Sequence, residues 1–349
     1  MAQYEFTNKG PGIIWAPFWI LVSSRPRQWL KNLAIFAPLV FEGSFFEPSR
    51  FLITLSAFII FCVLTSGIYI INDLIDLEKD REHPFKRRRP IAAAKIDPKI
   101  AFIFAVFFVA GSILAASTIS TYFAFATVGY AILQILYSLF LRSIILIDVM
   151  AIASGFLIRV FAGGILIDAH ITVWFILTVA SLSLFLAIGK RRSERTLIMG
   201  SSSKQGLRFS QNPQGLKNLG TRKILLHYPE SLLDSLTVMF ATSAWLSYTM
   251  FTFLQPPPSA GPQVLVLFGD FLPRTFLASK WLMITVPFVI YGVMRYLYVI
   301  HEKKEGESPE RVLLSDWPLL ISVIAWVALV FFVIYASSFL PHRVVQFLQ

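Results

Sequence analysis

The chain predicts an all-α polytopic membrane protein with nine transmembrane helices, and three observations carry that expectation. Of its 349 residues, 56% are hydrophobic and 15% charged, against about 45 to 50% apolar and about 25% charged in soluble domains. Uncharged or nearly uncharged runs recur along the whole length, each close to the roughly 20 residues that one helical crossing needs. Lys and Arg gather in a few of the intervening loops, the asymmetry that sets membrane topology. Mean hydropathy is +0.67.

Residues 1–12 are polar. Ile13 to Val22, with Pro17 inside it, is apolar but lacks a basic leader and a small-residue cleavage site, so it is expected to lie on the membrane and not to act as a signal peptide. The expected division is therefore an N-terminal cytoplasmic or interfacial segment, 1–24, and one transmembrane domain, 25–349. The first crossing is the least obvious. Trp29 to Phe41 is short, but the helix can start near Arg25 if Arg27 and Lys31 snorkel or line a polar cavity. The other spans are expected at 51–71, 101–118, 122–140, 144–167, 171–189, 235–254, 279–300 and 319–340.

Threading these nine with the N-terminus inside leaves all but Arg50, Arg274, Lys280 and Arg343 of the 31 Lys and Arg at the cytoplasmic face or within spans. The expected placement is multi-pass in the inner (plasma) membrane, N-terminus cytoplasmic and C-terminus external. The net charge of +11 then reflects topology and anion handling, and no nucleic-acid partner is implied. The Ser- and Gln-rich stretch 200–220 lacks periodicity and reads as a mobile cytoplasmic loop. The segment 255–278, with Pro256, Pro257 and Pro258, reads as an external connection. Cys62 is the only cysteine, so no intramolecular disulfide is available, and its mid-span position reads as packing.

Chemistry concentrates directly after the span 51–71. If that helix continues, Asn72, Asp73, Asp76 and Asp80 fall within roughly a third of its circumference. Hard oxygen ligands at a helix mouth suit Mg²⁺, which keeps waters and bridges to substrate phosphates through one or two carboxylates. Lys86, Arg87 and Arg89 just downstream are placed to hold those phosphates; Arg88 reads as a topology signal. The plain alternative, that all these charges are interfacial anchors, accounts for charge content alone. Inside the spans, Arg159 must face the bundle interior with a partner, since an unpaired charge there costs at least ~2.5 kcal/mol. Asp148 reads as a cap or cavity residue. Arg295 either snorkels or reaches a phosphate.

The order of residue types adds a resemblance. The pattern N-D-x-x-D-x-x-x-D-R-x-H-P-x-K-R-x-R-P-I-A at 72–92 resembles the first Asp-rich motif and following loop of the UbiA superfamily of intramembrane prenyltransferases. Within it, the chain looks most like the bacterial polyprenyl-phosphate phosphoribosyltransferases. Arg25-Pro26-Arg27-Gln28-Trp29-Leu30-Lys31-Asn32 is similar to that subgroup's R-P-x-Q-W-x-K-N segment. Gly189-Lys190-Arg191 with Glu194 is similar to its G-K-R-x-x-E, and Tyr228-Pro229-Glu230 with Leu233, and Glu307-Ser308-Pro309-Glu310 with Asp316, to its later cytoplasmic segments. The second Asp-rich motif of the prenyltransferases is missing. Gly189 to Arg195, a basic stretch with one acid, stands at its position.

The resemblance implies a UbiA-like bundle with a cytoplasm-facing active-site cavity. It implies transfer of 5-phosphoribose from 5-phosphoribosyl 1-diphosphate to a polyprenyl phosphate of the decaprenyl type in the membrane, with release of diphosphate, supplying a cell-envelope arabinose donor. Mg²⁺ is the implied cofactor, with Asn72, Asp73, Asp76 and Asp80 around it. Asp73, Asp76, Lys31 and Lys190 are the implied catalytic residues. Gln28, Asn32, Lys86, Arg87, Arg89, Tyr137, Arg191 and Glu194 are the implied substrate contacts, and a homo-oligomer is compatible with the sequence. Two alternatives stay open: prenyl transfer from a prenyl diphosphate to an aromatic acceptor, and lipid transport, although transporters usually bind near the midplane on broken helices.

Overall fold

The computed structural model describes residues 16–82, 86–200, 228–255, 280–303 and 309–335. The loop expected at 200–220 lies outside them from residue 201 on, as do most of the external connection and His83, Pro84, Phe85, Glu307 and Ser308. The described chain is helical, with no strand among the described residues. After α1 (Ala16–Ser23) comes a 3-10 helix, Pro26–Phe36, running into a five-residue α2 (Ala37–Phe41). Then follow α3 (Pro48–Ile75), α4 (Leu77–Glu82), α5 (Pro98–Ile119), α6 (Thr121–Leu139), α7 (Ile147–Ile167) and α8 (Val173–Gly200). The series closes with α9 (Glu230–Leu254), α10 (Val286–Tyr298), α11 (Pro309–Ser315) and α12 (Trp317–Tyr335).

Seven helices among the described residues are long and apolar enough to cross a membrane: α3, α5, α6, α7, the Val173–Thr196 part of α8, the run Trp281–Glu302 that contains α10, and α12. The protein is a multi-pass membrane protein. The expected span 235–254 is helical throughout, within the 25-residue α9. Trp29 to Phe41 is no continuous α-helix, since the 3-10 helix Pro26–Phe36 runs into it. A 3-10 helix rises about 2.0 Å per residue against 1.5 Å for α, so a short segment reaches further than its residue count suggests.

The residues form two compact units. The first is drawn from the residues up to Leu33 with Leu55–Ala151. Its core joins Ile20 of α1, Ile70 of α3, Ile91 and Ile96 of the following loop, and Ala101 and Ala105 of α5. Gly67 lets α3 and α5 close together, because a Cβ there would lie 2.9 Å from the Ala105 carbonyl oxygen. Small residues at contacts are how membrane helices approach, since burial from lipid offers little drive of its own. Phe61 of α3 packs its ring on Phe123 and Tyr130 of α6.

The second unit is drawn from Ala34–Thr54, Ile152–Gly200 and the described residues beyond 225. Val160, Phe175, Tyr248, Phe251, Leu282, Val330 and Tyr335 share one core cluster. Tyr248 sits in a buried relay, 2.6 Å from the Thr285 hydroxyl and accepting from Trp326 Nε1 at 2.8 Å. The Tyr335 hydroxyl donates to the Val40 carbonyl at 2.9 Å and accepts from the Phe45 amide at 3.1 Å, clamping the turn at Gly43, whose φ is +81°. At Gly163 the backbone of α7 meets Ile35 so closely that a Cβ would stand 2.0 Å from its carbonyl oxygen.

Candidate active site

Helix α3 does not stop cleanly at Ile75. The Asp76 amide donates to the Asn72 carbonyl at 3.1 Å, and the Asp80 amide to the Asp76 carbonyl at 2.8 Å. Helical spacing is thus carried across the joint into α4, and residues four apart stay on one face. Asp73, Asp76 and Asp80 are only 3%, 4% and 1% exposed. Three buried carboxylates cost several kcal/mol apiece unless paired.

Three arginines from distant stretches pair them. Arg25 Nη2 bonds Asp73 Oδ1. Arg89 Nη1 donates to the same Asp73 oxygen at 3.1 Å and to Asp80 Oδ2 at 2.5 Å. Arg142 grips Asp76 with both prongs of its fork at 2.7 Å. Arg25 follows α1 with φ at +53°, a backbone region that non-glycine residues seldom adopt, and lies 5.2 Å from the Tyr69 ring centroid. Arg89 follows the 3-10 turn Lys86–Arg88. Arg142 sits in the turn Leu141–Ser143, between α6 and α7. All three arginine side chains are 26 to 28% exposed, so the water side of the cluster is basic and its floor acidic.

Burial pushes the Asp76 carboxyl up, but the Arg142 fork, its charge and the nearby Lys79 and Lys86 outweigh that and hold it below the usual carboxylate range. Arg142 is raised in turn, chiefly by its bonds to Asp76, and Tyr137 and Asp80 add to the effect. Tyr137 and Lys86 therefore lie within electrostatic reach of the Asp76–Arg142 pair.

Among the described residues, no group of three or more His, Cys, Asp or Glu closes around a common point. Mg²⁺ does not require one, since one or two carboxylates suffice when water and phosphate fill the other positions. Two features fit a cation. A single positive nitrogen, Arg89 Nη1, already touches carboxylates of both Asp73 and Asp80. The buried Asp80 Oδ1 has no hydrogen-bond partner among the described residues, leaving one oxygen lone pair unmatched beside that point.

In the second unit the basic end of α8 has two faces. Arg192 and Arg195 turn toward α9. Arg192 Nε bonds Asp234 Oδ1 at 2.5 Å and its Nη1 the Ile300 carbonyl at 3.0 Å, while Arg195 meets Glu230 at 3.0 Å. Arg191 is buried and bonds Glu194 at 2.9 Å along the same helix. Gly189 admits the Tyr296 ring, which a Cβ would meet at 3.0 Å. Arg295, expected to snorkel or to reach a phosphate, has an acidic partner. It forms a two-pronged pair with Asp316 at 2.9 and 3.0 Å, and Asp316 also accepts the Leu319 amide at 3.1 Å to cap α12.

The family model described as the UbiA prenyltransferase family matches residues 33–194. The chain is 32% identical to a decaprenyl-phosphate phosphoribosyltransferase of Mycolicibacterium smegmatis, over 91% of this chain and 93% of that one. It is 33% identical to one of Corynebacterium glutamicum, over 89% of this chain and 85% of that one. The chain belongs to the UbiA prenyltransferase family. A solved UbiA homolog from Archaeoglobus fulgidus, bound to DMAPP and Mg²⁺, shares the fold at a TM-score of 0.61 and 19% identity, over 92% of this chain and 99% of that one. Another structure of a UbiA homolog from the same organism holds Cd²⁺.

Within this UbiA-family chain, the first unit brings together Asp73, Asp76, Asp80, Lys86, Arg89 and Tyr137 from the expected set. Asn72 is half-buried at the α3 end, Arg87 is exposed, and Gln28 and Lys31 are half-buried on the 3-10 helix. Asn32 is fully buried, its amide directed to Thr65 Oγ1 at 3.3 Å and Cys62 Sγ at 3.4 Å, two turns of α3 before Asp73. Lys190, Arg191 and Glu194 belong to the second unit. Arg159 is buried, as expected, but donates to the Gly155 carbonyl of its own helix at 2.9 Å. Asp148 is wholly buried. Two residues were not anticipated in the cluster. Arg142 was legible through topology, since a turn between spans 122–140 and 144–167 falls on the same side as the Asp-rich motif. Arg25 stood in the R-P-x-Q-W-x-K-N segment without a role.

Proposed function

We propose that this protein transfers the 5-phosphoribosyl group of 5-phosphoribosyl 1-diphosphate to a decaprenyl-type polyprenyl phosphate and releases diphosphate. The observation that carries the reading is its likeness, along nearly the whole chain, to decaprenyl-phosphate phosphoribosyltransferases. The basic end of α8, where a prenyltransferase has its second acidic motif, supports it. A donor with phosphate at both ends calls for forked cationic side chains as well as a metal.

Asp73 and Asp80, with Asp76 and Asn72 beside them, would hold Mg²⁺ near the leaving diphosphate. The ion supplies charge neutralisation as the bond from C1 to diphosphate breaks. Arg89 and Arg142 on the water side of the same cluster, with Lys86 near it and Arg87 beside Lys86 in the chain, take the diphosphate oxygens. Lys31 in the first unit, and Lys190 and Arg191 in the second, are assigned to the 5-phosphate or the lipid phosphate, with Glu194 fixing Arg191; Gln28, Asn32 and Tyr137 are assigned as further polar contacts of the first unit. The acceptor phosphate is already an anion at neutral pH, so orientation matters more than a strong base. The cavity opens to the cytoplasm, in an inner-membrane protein with nine crossings and its C-terminus outside.

The test is direct. Purified protein in detergent with Mg²⁺, labelled 5-phosphoribosyl 1-diphosphate and polyprenyl phosphates of several lengths should move label into the lipid phase. Label that stays in water, with diphosphate released instead from a prenyl diphosphate and an aromatic acceptor, would overturn the proposal.

A further inference from the structure

The Asp73 oxygen that accepts Arg25 also accepts Arg89. Arg89 is shared with Asp80, so Arg25 completes the charge balance of these two acids, and it does so from a backbone at φ +53°. Such backbone positions cluster at active sites and ligand clamps. The Arg25 side chain is 28% exposed while that of Asp73 is 3% exposed, so a ligand arriving from water meets the arginine before the carboxylate. A cation seated between Asp73 and Asp80 takes the place of Arg89 Nη1 and also competes with Arg25 for Asp73 Oδ1, and a guanidinium released from that oxygen is a fork suited to phosphate.

We propose that Arg25 is a positioning residue that makes Mg²⁺ binding conditional on diphosphate. It competes with the ion for Asp73 when diphosphate is absent and becomes a diphosphate ligand when both arrive. The inference rests on the metal-and-diphosphate site of the proposed function and adds an order to it: ion and diphosphate enter as a coupled pair. In thermodynamic terms, diphosphate tightens Mg²⁺ binding and Mg²⁺ tightens diphosphate binding by the same factor.

The experiment measures Mg²⁺ binding by calorimetry on the full chain in detergent, with and without saturating inorganic diphosphate. Wild type, Arg25→Gln and Arg25→Lys are compared, with melting temperature as a folding control. In wild type, diphosphate should lower the apparent Kd for Mg²⁺ by about tenfold or more, within the usual range of site coupling. Arg25→Gln should bind Mg²⁺ alone several-fold more tightly than wild type and lose most of the coupling, an inversion that general damage does not produce. Arg25→Lys should keep part of the coupling. Unchanged or weaker Mg²⁺ binding in Arg25→Gln without diphosphate, or full coupling in that variant, overturns the proposal. So does a large fall in the ligand-free melting temperature of both variants, which would make Arg25 a structural counter-ion. Coupling in a wild-type protein that transfers no phosphoribose would instead defeat the proposed function and leave the role of Arg25 standing.

Discussion

Asp76 and Arg142, 66 residues apart in the chain, meet as a two-pronged ion pair with both nitrogen–oxygen distances at 2.7 Å. The pair ties the turn between α6 and α7 to the joint between α3 and α4. Removing one member strands the other. Arg142→Ala should cost about 1 to 3 kcal/mol, the penalty for a buried acceptor left unmatched, read as a lower melting temperature in detergent. Asp76→Asn with Arg142→Gln should recover much of that loss while activity stays low. Equal instability of the single and double variants would show that the two groups do not act on each other.

Asp73 and Asp80 share one guanidinium nitrogen, so they should behave alike toward the metal. Asp73→Asn and Asp80→Asn are each expected to raise the Mg²⁺ concentration for half-maximal transfer by about tenfold or more, the loss of one charged ligand contact. An Asp80→Asn enzyme with the wild-type Mg²⁺ requirement would restrict the site to the α3 acids.

At the Gly163 contact with Ile35, a methyl group has no room. Gly163→Ala should destabilise by about 1 to 3 kcal/mol or more, as overpacking does. Gly111→Ala is the control, because nothing lies within 4 Å of a Cβ there, and it should melt at or slightly above the wild-type temperature. A Gly163→Ala protein as stable as Gly111→Ala would show that the close approach is absent.

Neutralising Arg191 should raise the KM for a phosphorylated substrate, with a loss of about 1.5 to 3 kcal/mol for one charged hydrogen bond. Glu194→Gln should act in the same direction but more weakly, since it loosens Arg191 without removing it. Lys190→Asp with Arg191→Asp should abolish phosphoribosyl transfer by facing the phosphates with like charge. Full activity in that double variant would make the basic end of α8 a topology signal only.

Much of this was legible because the relevant spacings are local. Apolar run length places α3, α5, α6, α7 and α12 within a few residues and marks the start of α8, whose helix continues eleven residues beyond the expected end at 189; the i, i+4 spacing from Asn72 through Asp76 to Asp80 survives the break at Ile75. The partners of those acids are another matter. No local period links Asp76 to Arg142 or Arg295 to Asp316, and only the packed helices bring them together. The run Lys190 to Arg195 looked like one basic patch. At about 100° per residue its members point to different sides, so Arg192 and Arg195 zip to α9 while Arg191 and Glu194 pair along α8. The 3-10 form of Pro26–Phe36 was hidden because the expectation for this segment rests on run length and charge placement, which do not distinguish 3.0 from 3.6 residues per turn.

Arg142 leaves the ribosome well after the acid it neutralises. With 66 residues between them and synthesis at about 5 to 20 residues per second, Asp76 waits roughly 3 to 13 seconds for its partner. Two further helices, α5 and α6, must be inserted in that time. The Asp-rich end of α3 should therefore spend its first seconds as a hydrated acidic mouth, with arrival of the α6–α7 turn as the step that closes off Asp76. A nascent chain arrested before residue 142 should leave that acidic stretch open to a soluble protease or a water-borne label, and one arrested after α7 should not.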